Sequence, residues 1–154
     1  MATYLQYQPE NYDNFKTPIE VWKNIQNYIP TDKQIWCPFY FEGDHTLREL
    51  GYDIIHENED FFENNKGEII IDNPPFGLKK KVLEYCLKID KPFILILPTS
   101  TINYQYFRIY KDKNIQIIVP PKRYNFMKEK KSSATFDTLY FCYKMNLEKD
   151  IIFL

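Results

Sequence analysis

An excess of either charge is missing from this sequence: 20 Lys and Arg stand against 21 Asp and Glu, a formal net charge of -1. That excludes the globally basic surface of many autonomous nucleic-acid binders, so any such contact has to come from a local patch, a partner or an aromatic platform. Cysteine is sparse and scattered. Cys37, Cys86 and Cys142 form no CxxC pair and no zinc spacing, which removes a structural zinc site from consideration. Free, buried thiols in a reducing compartment are expected instead. No apolar run approaches the ~20 residues of a membrane span. Met1 to Asn14 is polar and aromatic rather than charged and then apolar, unlike a secretory leader. The expectation is an intracellular, cytoplasmic chain with no membrane partner. Repeats and linker-like composition are also lacking, so residues 1–154 are expected to form a single domain.

What is abundant is aromatic and aliphatic. Aromatics make up 18% and hydrophobic residues 44%, enough for a packed core. Lys, Asn, Ile, Tyr and Phe are rich together, as in A- and T-rich coding sequences; base stacking is the functional alternative.

Periodicity predicts alternating elements. Thr17-Pro18 is expected to open a helix, with Thr17 capping it and Ile19, Trp22, Ile25 and Ile29 on one face. Gln34 to Tyr40 reads as a buried strand, His45 to Leu50 as a short helix stopped at Gly51, and Tyr52 to His56 as a second strand. An acidic stretch, Glu57 to Glu63, follows. Glu68 to Asp72 is a third strand, Leu78 to Ile89 a helix and Phe93 to Leu97 a fourth strand. A helix is expected over Ile102 to Tyr110 and a fifth strand over Ile115 to Val119. Tyr124 to Met127 and Thr138 to Met145 are late strands, and the apolar tail Asp150 to Leu154 is able to pack or pair. Strands alternating with helices predict an α/β fold with a mainly parallel sheet, its edge closed by an antiparallel hairpin from the late strands.

The most informative stretch is Ile69-Ile70-Ile71-Asp72-Asn73-Pro74-Pro75-Phe76-Gly77. An apolar strand delivers Asn-Pro-Pro-aromatic to its carboxyl end, where ligands sit in open α/β sheets. Two prolines fix φ twice and force a stiff, extended turn. Such a turn can hold a side-chain carbonyl and a backbone carbonyl pointing the same way. Two acceptors so placed receive both hydrogens of an exocyclic amino group and turn its lone pair toward an electrophilic methyl.

Asn73-Pro74-Pro75-Phe76 resembles the (Asp/Asn/Ser)-Pro-Pro-(Tyr/Phe/Trp) motif of amino-group methyltransferases, and the chain as a whole resembles phage- and viral-type DNA N6-adenine methyltransferases. The resemblance implies a Rossmann-like fold dependent on S-adenosyl-L-methionine, with an antiparallel C-terminal strand. It implies that Asn73 and the Pro74 carbonyl bind the target amino group within the catalytic corner Asn73, Pro74, Pro75 and Phe76, and that Phe76 stacks on the base. Asn14-Phe15-Lys16-Thr17-Pro18 resembles the segment that closes over the methionine end of the cofactor, which implicates Phe15 and Thr17. Trp36 to Asp44 resembles the cofactor loop Asp-Pro-Phe-x-Gly-x-Gly, implicating Pro38, Phe39 and Gly43. Asp60-Phe61 resembles the pair that grips the cofactor's adenine, and Glu57 is placed to accept ribose hydroxyls. These motifs occur in the family's order over roughly residues 12 to 100. The likeness continues loosely through Pro120 to Phe126 and Phe136-Asp137, where Phe136 would bring a second aromatic to the base.

The sequence departs from the pattern at the cofactor loop. Cys37 stands where the family has an acid, and Phe41 near an expected glycine. No separate target-recognition domain is expected within residues 1–154. A nucleic-acid substrate, DNA or RNA and possibly single-stranded, or a protein partner or homodimer supplying recognition, would then meet local basic residues: Lys79 in Lys79-Lys80-Lys81, Lys122-Arg123, and Lys128-Lys130-Lys131. No metal is expected, and neither His45 nor His56 as a base. Two alternatives stay open: methylation of protein glutamine by the same corner, and a non-catalytic module of the same fold.

Overall fold

The structure, a computed structural model, describes residues 15–39, 44–128 and 133–154, and at 15–16, 127–128 and 133–136 it describes the backbone. The strands among them are β1 (Phe15–Lys16), β2 (Ile35–Trp36), β3 (Ile54–Ile55), β4 (Ile69–Asp72), β5 (Phe93–Pro98), β6 (Ile115–Val119), β7 (Tyr124–Lys128), β8 (Ser133–Phe136), β9 (Thr138–Tyr143) and β10 (Ile151–Phe153). The α-helices are α1 (Ile19–Lys23), α2 (Thr46–Glu49) and α3 (Lys79–Ile89).

Seven of these strands form one sheet in the order β10-β6-β9-β5-β4-β2-β3. Every pairing is parallel except those of β9, which runs antiparallel to both β5 and β6. This is the expected α/β architecture: a mainly parallel sheet flanked by helices, with an antiparallel strand near the C-terminus. Period-two alternation sorts the core onto two faces. Ile69, Ile71, Ile94, Ile96, Tyr140 and Cys142 meet Val21, Trp22, Ile25 and Leu47 of the α1 and α2 side. Ile70, Phe93, Leu95, Leu97, Phe141 and Tyr143 meet Val82, Leu83 and Cys86 of α3, together with Phe107 and Tyr110. Both faces being covered, the central strands read as unbroken apolar runs.

Several expectations are corrected. Thr17 makes no capping bond; Pro18 occupies the cap position of a shorter helix, and a 3-10 turn, Gln26–Tyr28, replaces its second half. The segment expected as a helix over 102–110 is two 3-10 segments, Thr99–Asn103 and Gln105–Tyr110. The late hairpin does not close the main sheet. β7 and β8 pair with each other and with β1 in a separate sheet ordered β1-β7-β8. The edge is formed instead by β10, whose Ile152 is buried beside β6 while Ile151 and Phe153 face outward.

The small sheet is pinned to the main one through hydroxyls. Tyr124 Oη lies 2.6 Å from Tyr140 Oη, Tyr140 Oη donates to the Val21 carbonyl at 2.6 Å, and Asn24 Nδ2 donates to Tyr124 Oη at 2.8 Å. Gly67 makes the turn into β4 at φ +64°, where a Cβ would sit 3.1 Å from that of Trp36. Among the described residues no helix is long and apolar enough to cross a membrane.

Candidate functional site

β4 ends at Asp72, and the chain turns at once through Asn73, Pro74 and Pro75 into a 3-10 segment, Phe76–Leu78, that leads into α3. The two prolines are buried; Asn73 and Phe76 are half-buried. The corner thus sits at the carboxyl end of a central strand.

Asp72 organises what surrounds it. One carboxylate oxygen accepts from His45 Nε2 at 2.9 Å and from the Asn73 backbone N–H at 2.8 Å, and the other accepts from the Phe39 N–H at 2.9 Å. His45 Nδ1 accepts from the Leu47 N–H at 3.1 Å, which assigns the proton facing Asp72 to Nε2. The imidazole also lies over Trp22, centroids 6.0 Å apart at 25°. Three donors from three segments therefore converge on one buried carboxylate. Neither Asp72 nor His45 was singled out in the sequence for this role, since the two lie 27 positions apart.

Thr17 and Asn73 meet as well. Asn73 Nδ2 donates to Thr17 Oγ1 at 2.9 Å, and Thr17 is itself buried, its carbonyl accepting from Thr46 Oγ1 at 3.2 Å. The other end of the amide, Asn73 Oδ1, is buried with no hydrogen-bond partner among the described residues. A buried acceptor left unpaired costs about 1–3 kcal/mol, so its survival marks a place where a donor is due.

The expected cofactor residues divide. Glu57, past the end of β3, is exposed and carries an ion pair to Lys66 at 2.9 Å; that hydrogen bond from Lys66 holds its carboxyl below the usual range. Asp60 caps the 3-10 turn Phe61–Glu63 by accepting from the Phe62 N–H at 3.0 Å. Phe61 was expected as a stacking face, but the structure encloses it: its centroid lies 5.3 Å from Trp36, 4.9 Å from Phe39 and 4.9 Å from Tyr85, and its exposure is 0%. Phe39 is likewise buried, and Pro38 beside it. Both rings are packed into the core by these aromatic contacts. Cys37, where the family has an acid, is a buried thiol pushed up by burial and then by the nearby Asp72 charge. Gly43 and Phe41 lie outside the described residues; for Phe15 and Phe136 the strands β1 and β8 give the backbone position.

The expected substrate-binding cations are engaged within the chain. Lys79 Nζ donates to the Phe76 carbonyl at 3.0 Å and sits 5.3 Å over the Tyr104 ring. Lys122 pairs with Glu20 at 3.0 Å and Arg123 with Asp137 at 2.8 Å, all four side chains exposed. Exposed pairs of this kind contribute about 0–1 kcal/mol and exchange readily for a phosphate. Among the described residues no group of three or more His, Cys, Asp or Glu side chains is arranged to hold a metal.

No family model matches the chain. No curated protein matches it. Among solved structures, it is similar to a "putative RNA methyltransferase" from Pyrococcus horikoshii, with a TM-score of 0.48 and 12% identity over 97% of this chain and 93% of that one.

Proposed function

We infer that this chain is an S-adenosylmethionine-dependent methyltransferase acting on the N6 amino group of adenine in nucleic acid, DNA in preference to RNA. The observation that carries the reading is the buried, unpartnered Asn73 Oδ1 at the double-proline corner. An exocyclic amino group has two hydrogens to donate and one lone pair. Asn73 Oδ1 and the Pro74 carbonyl supply two acceptors, and the half-buried Phe76 ring offers a surface for the base.

The residues fit the cofactor in part. Exposed Glu57 suits ribose hydroxyls, and Asp60, one of whose oxygens is used by the Phe62 N–H, retains acceptor capacity for an adenine amino group. Thr17 and Pro38 would line part of the rest. Phe39 and Phe61 act as the wall behind the site, not as stacking faces. When bound, the cofactor supplies an electrophilic methyl on a positively charged sulfur. The protein's own part is positioning and electrostatic stabilisation. Asn73 and Pro74 orient the amino nitrogen and take up the positive charge that grows on it as the N–C bond forms. The amino nitrogen held there would give up one proton to water.

A nucleic-acid substrate in single-stranded form, or a protein partner or second copy of the chain supplying target recognition, is part of this reading. Flipping a base from a duplex costs a few kcal/mol, a cost that a single-stranded substrate avoids.

Incubation with tritiated S-adenosylmethionine and DNA, RNA or protein tests the reading. Label is expected in adenine of nucleic acid and is expected to fall about 100-fold in Asn73→Ala, as when an oriented polar group is removed from a transfer site. Label unchanged by that substitution overturns the catalytic assignment. A second reading, a non-catalytic module, is favoured by the sealing of Phe39 and Phe61 into the core. It predicts no heat on titration with S-adenosylmethionine.

A further inference from the structure

We propose that the outer edge of β10 is the surface through which two copies of this chain associate, their β10 strands pairing antiparallel about a two-fold axis. The edge is separated from β4 by β6, β9 and β5, so the inference stands independently of the methyltransferase reading.

β10 ends the seven-stranded sheet, and among the described residues no strand pairs with its other side. The Asp150 carbonyl accepts from the Ile117 N–H at 2.8 Å, and the Leu154 N–H donates to the Val119 carbonyl at 3.0 Å. Backbone groups of successive residues point to alternate sides of a strand. The N–H and C=O of Ile151 and Phe153 therefore point away from β6. Edges of this kind are ordinarily blunted by lysine, proline, an inward charge or a bulge. Ile151-Ile152-Phe153-Leu154 contains no lysine, proline or charge, and β10 pairs with β6 residue for residue, without a bulge.

The side chains are equally unprotected. Ile151, Phe153 and Leu154 are three of the six large hydrophobic residues exposed among the described residues, Phe153 at 77%. Ile151 pairs with Ile117 and Phe153 with Val119, which puts both on the α3 face of the sheet. Ile102 and Ile109, also exposed, belong to the 3-10 segments whose Phe107 and Tyr110 pack on that face.

Two features make a second copy the occupant. The first is that the edge complements itself. An antiparallel pair with Ile152 on the axis sets Ile151 of each copy opposite Phe153 of the other, and in that register all the outward N–H and C=O groups of both residues are bonded. It also sets a ring against a branched chain on one face, a favourable cross-strand pair. The second is charge. β10 and β6 are parallel, so antiparallel pairing brings the start of one copy's β10 beside the end of the other copy's β6. Exposed Glu148 and Asp150, with Lys149 between them, precede the former, and exposed Lys122 and Arg123 follow the latter. Acids thus approach bases at both ends of the joint. A strand pair this short buries less than the ~1,200 Å² at the lower end of stable interfaces, so the association is expected to be weak and reversible.

Sedimentation velocity of the full chain, from low micromolar to near-millimolar concentration, tests the proposal. A reversible passage from monomer to dimer is expected. Phe153→Pro removes an outward N–H and spares the bonds to β6, so it is expected to abolish the dimer with the circular dichroism unchanged. Phe153→Lys, at an exposed position, is expected to do the same should proline unsettle the strand. Cross-linking reads the register. Ile151→Cys and Phe153→Cys, mixed under mild oxidation, are expected to form an intermolecular disulfide, because directly opposed residues lie ~5.5 Å apart between Cα atoms. Neither variant alone is expected to cross-link, because like positions then stand more than ~7 Å apart, and the native cysteines are buried. A chain that stays monomeric throughout, a dimer untouched by both Phe153 substitutions, or a disulfide formed by either cysteine variant alone overturns the proposal. Growth into open filaments does so too, since it requires a head-to-tail contact in place of a closed pair.

Discussion

His45 and Asp72 face each other at 2.9 Å in the protein interior, their side chains 1% and 2% exposed. The contact joins the start of α2 to the end of β4, one residue before Asn73. Its role is architectural: the imidazole donates to a carboxylate that also holds the Asn73 and Phe39 backbone amides.

His45→Ala is therefore expected to cost about 3 kcal/mol of stability, because it leaves a buried carboxylate short of a donor. His45→Gln, able to donate from the same side, is expected to recover part of the loss. Urea denaturation of the variants checks this. Equal stability of His45→Ala and the unaltered protein would show that the contact does not organise the corner.

Phe61 distinguishes a core position from a ligand face. Phe61→Ala is expected to destabilise by about 3–5 kcal/mol, and Phe61→Leu by less than about 1.5 kcal/mol, with little change in S-adenosylmethionine affinity for the latter. Chemical denaturation and calorimetric titration of the same two proteins give both numbers. A large affinity loss in Phe61→Leu at full stability would restore the stacking role.

Alkaline pH probes the tyrosine-rich interior. Burial pushes Tyr106 and Tyr143 up to about 12 and holds Tyr110 and Tyr140 higher still. With folded values above the unfolded value near 10, the stability they contribute is complete below about pH 10 and is lost as pH rises from there toward 12. Absorbance of tyrosinate and circular dichroism, followed together, are expected to report their ionisation in step with unfolding. Early ionisation of all 13 tyrosines with the fold intact would contradict this.

The thiols offer a simple check of packing. Cys37, Cys86 and Cys142 are free and buried, and burial raises all three, Cys142 to about 12. Since the thiolate is the reactive form, an aromatic disulfide reagent is expected to modify none of them in the native protein at pH 8 and all of them in denaturant. Rapid native modification of Cys37 would mean that the segment beside Asp72 opens.

The sequence by itself determined the strands and the corner. Runs such as Phe93 to Leu97 and Ile69 to Ile71 can satisfy neither a helical stripe nor a solvated surface, so they read as central strands, and Asn73-Pro74-Pro75-Phe76 reads as a stiff turn at the end of one. These signals are local: hydrophobic period and proline geometry act within a few residues. Tertiary structure alone decided that Thr17 holds the Asn73 amide and caps nothing, that His45 braces Asp72, that Phe39 and Phe61 are core, and that β10 takes the sheet edge while β7 and β8 leave it. Each depends on which distant segments meet. Only when segments 27 or 56 positions apart are folded together does an acceptor such as Asn73 Oδ1 become visible as buried and unpaired among the described residues.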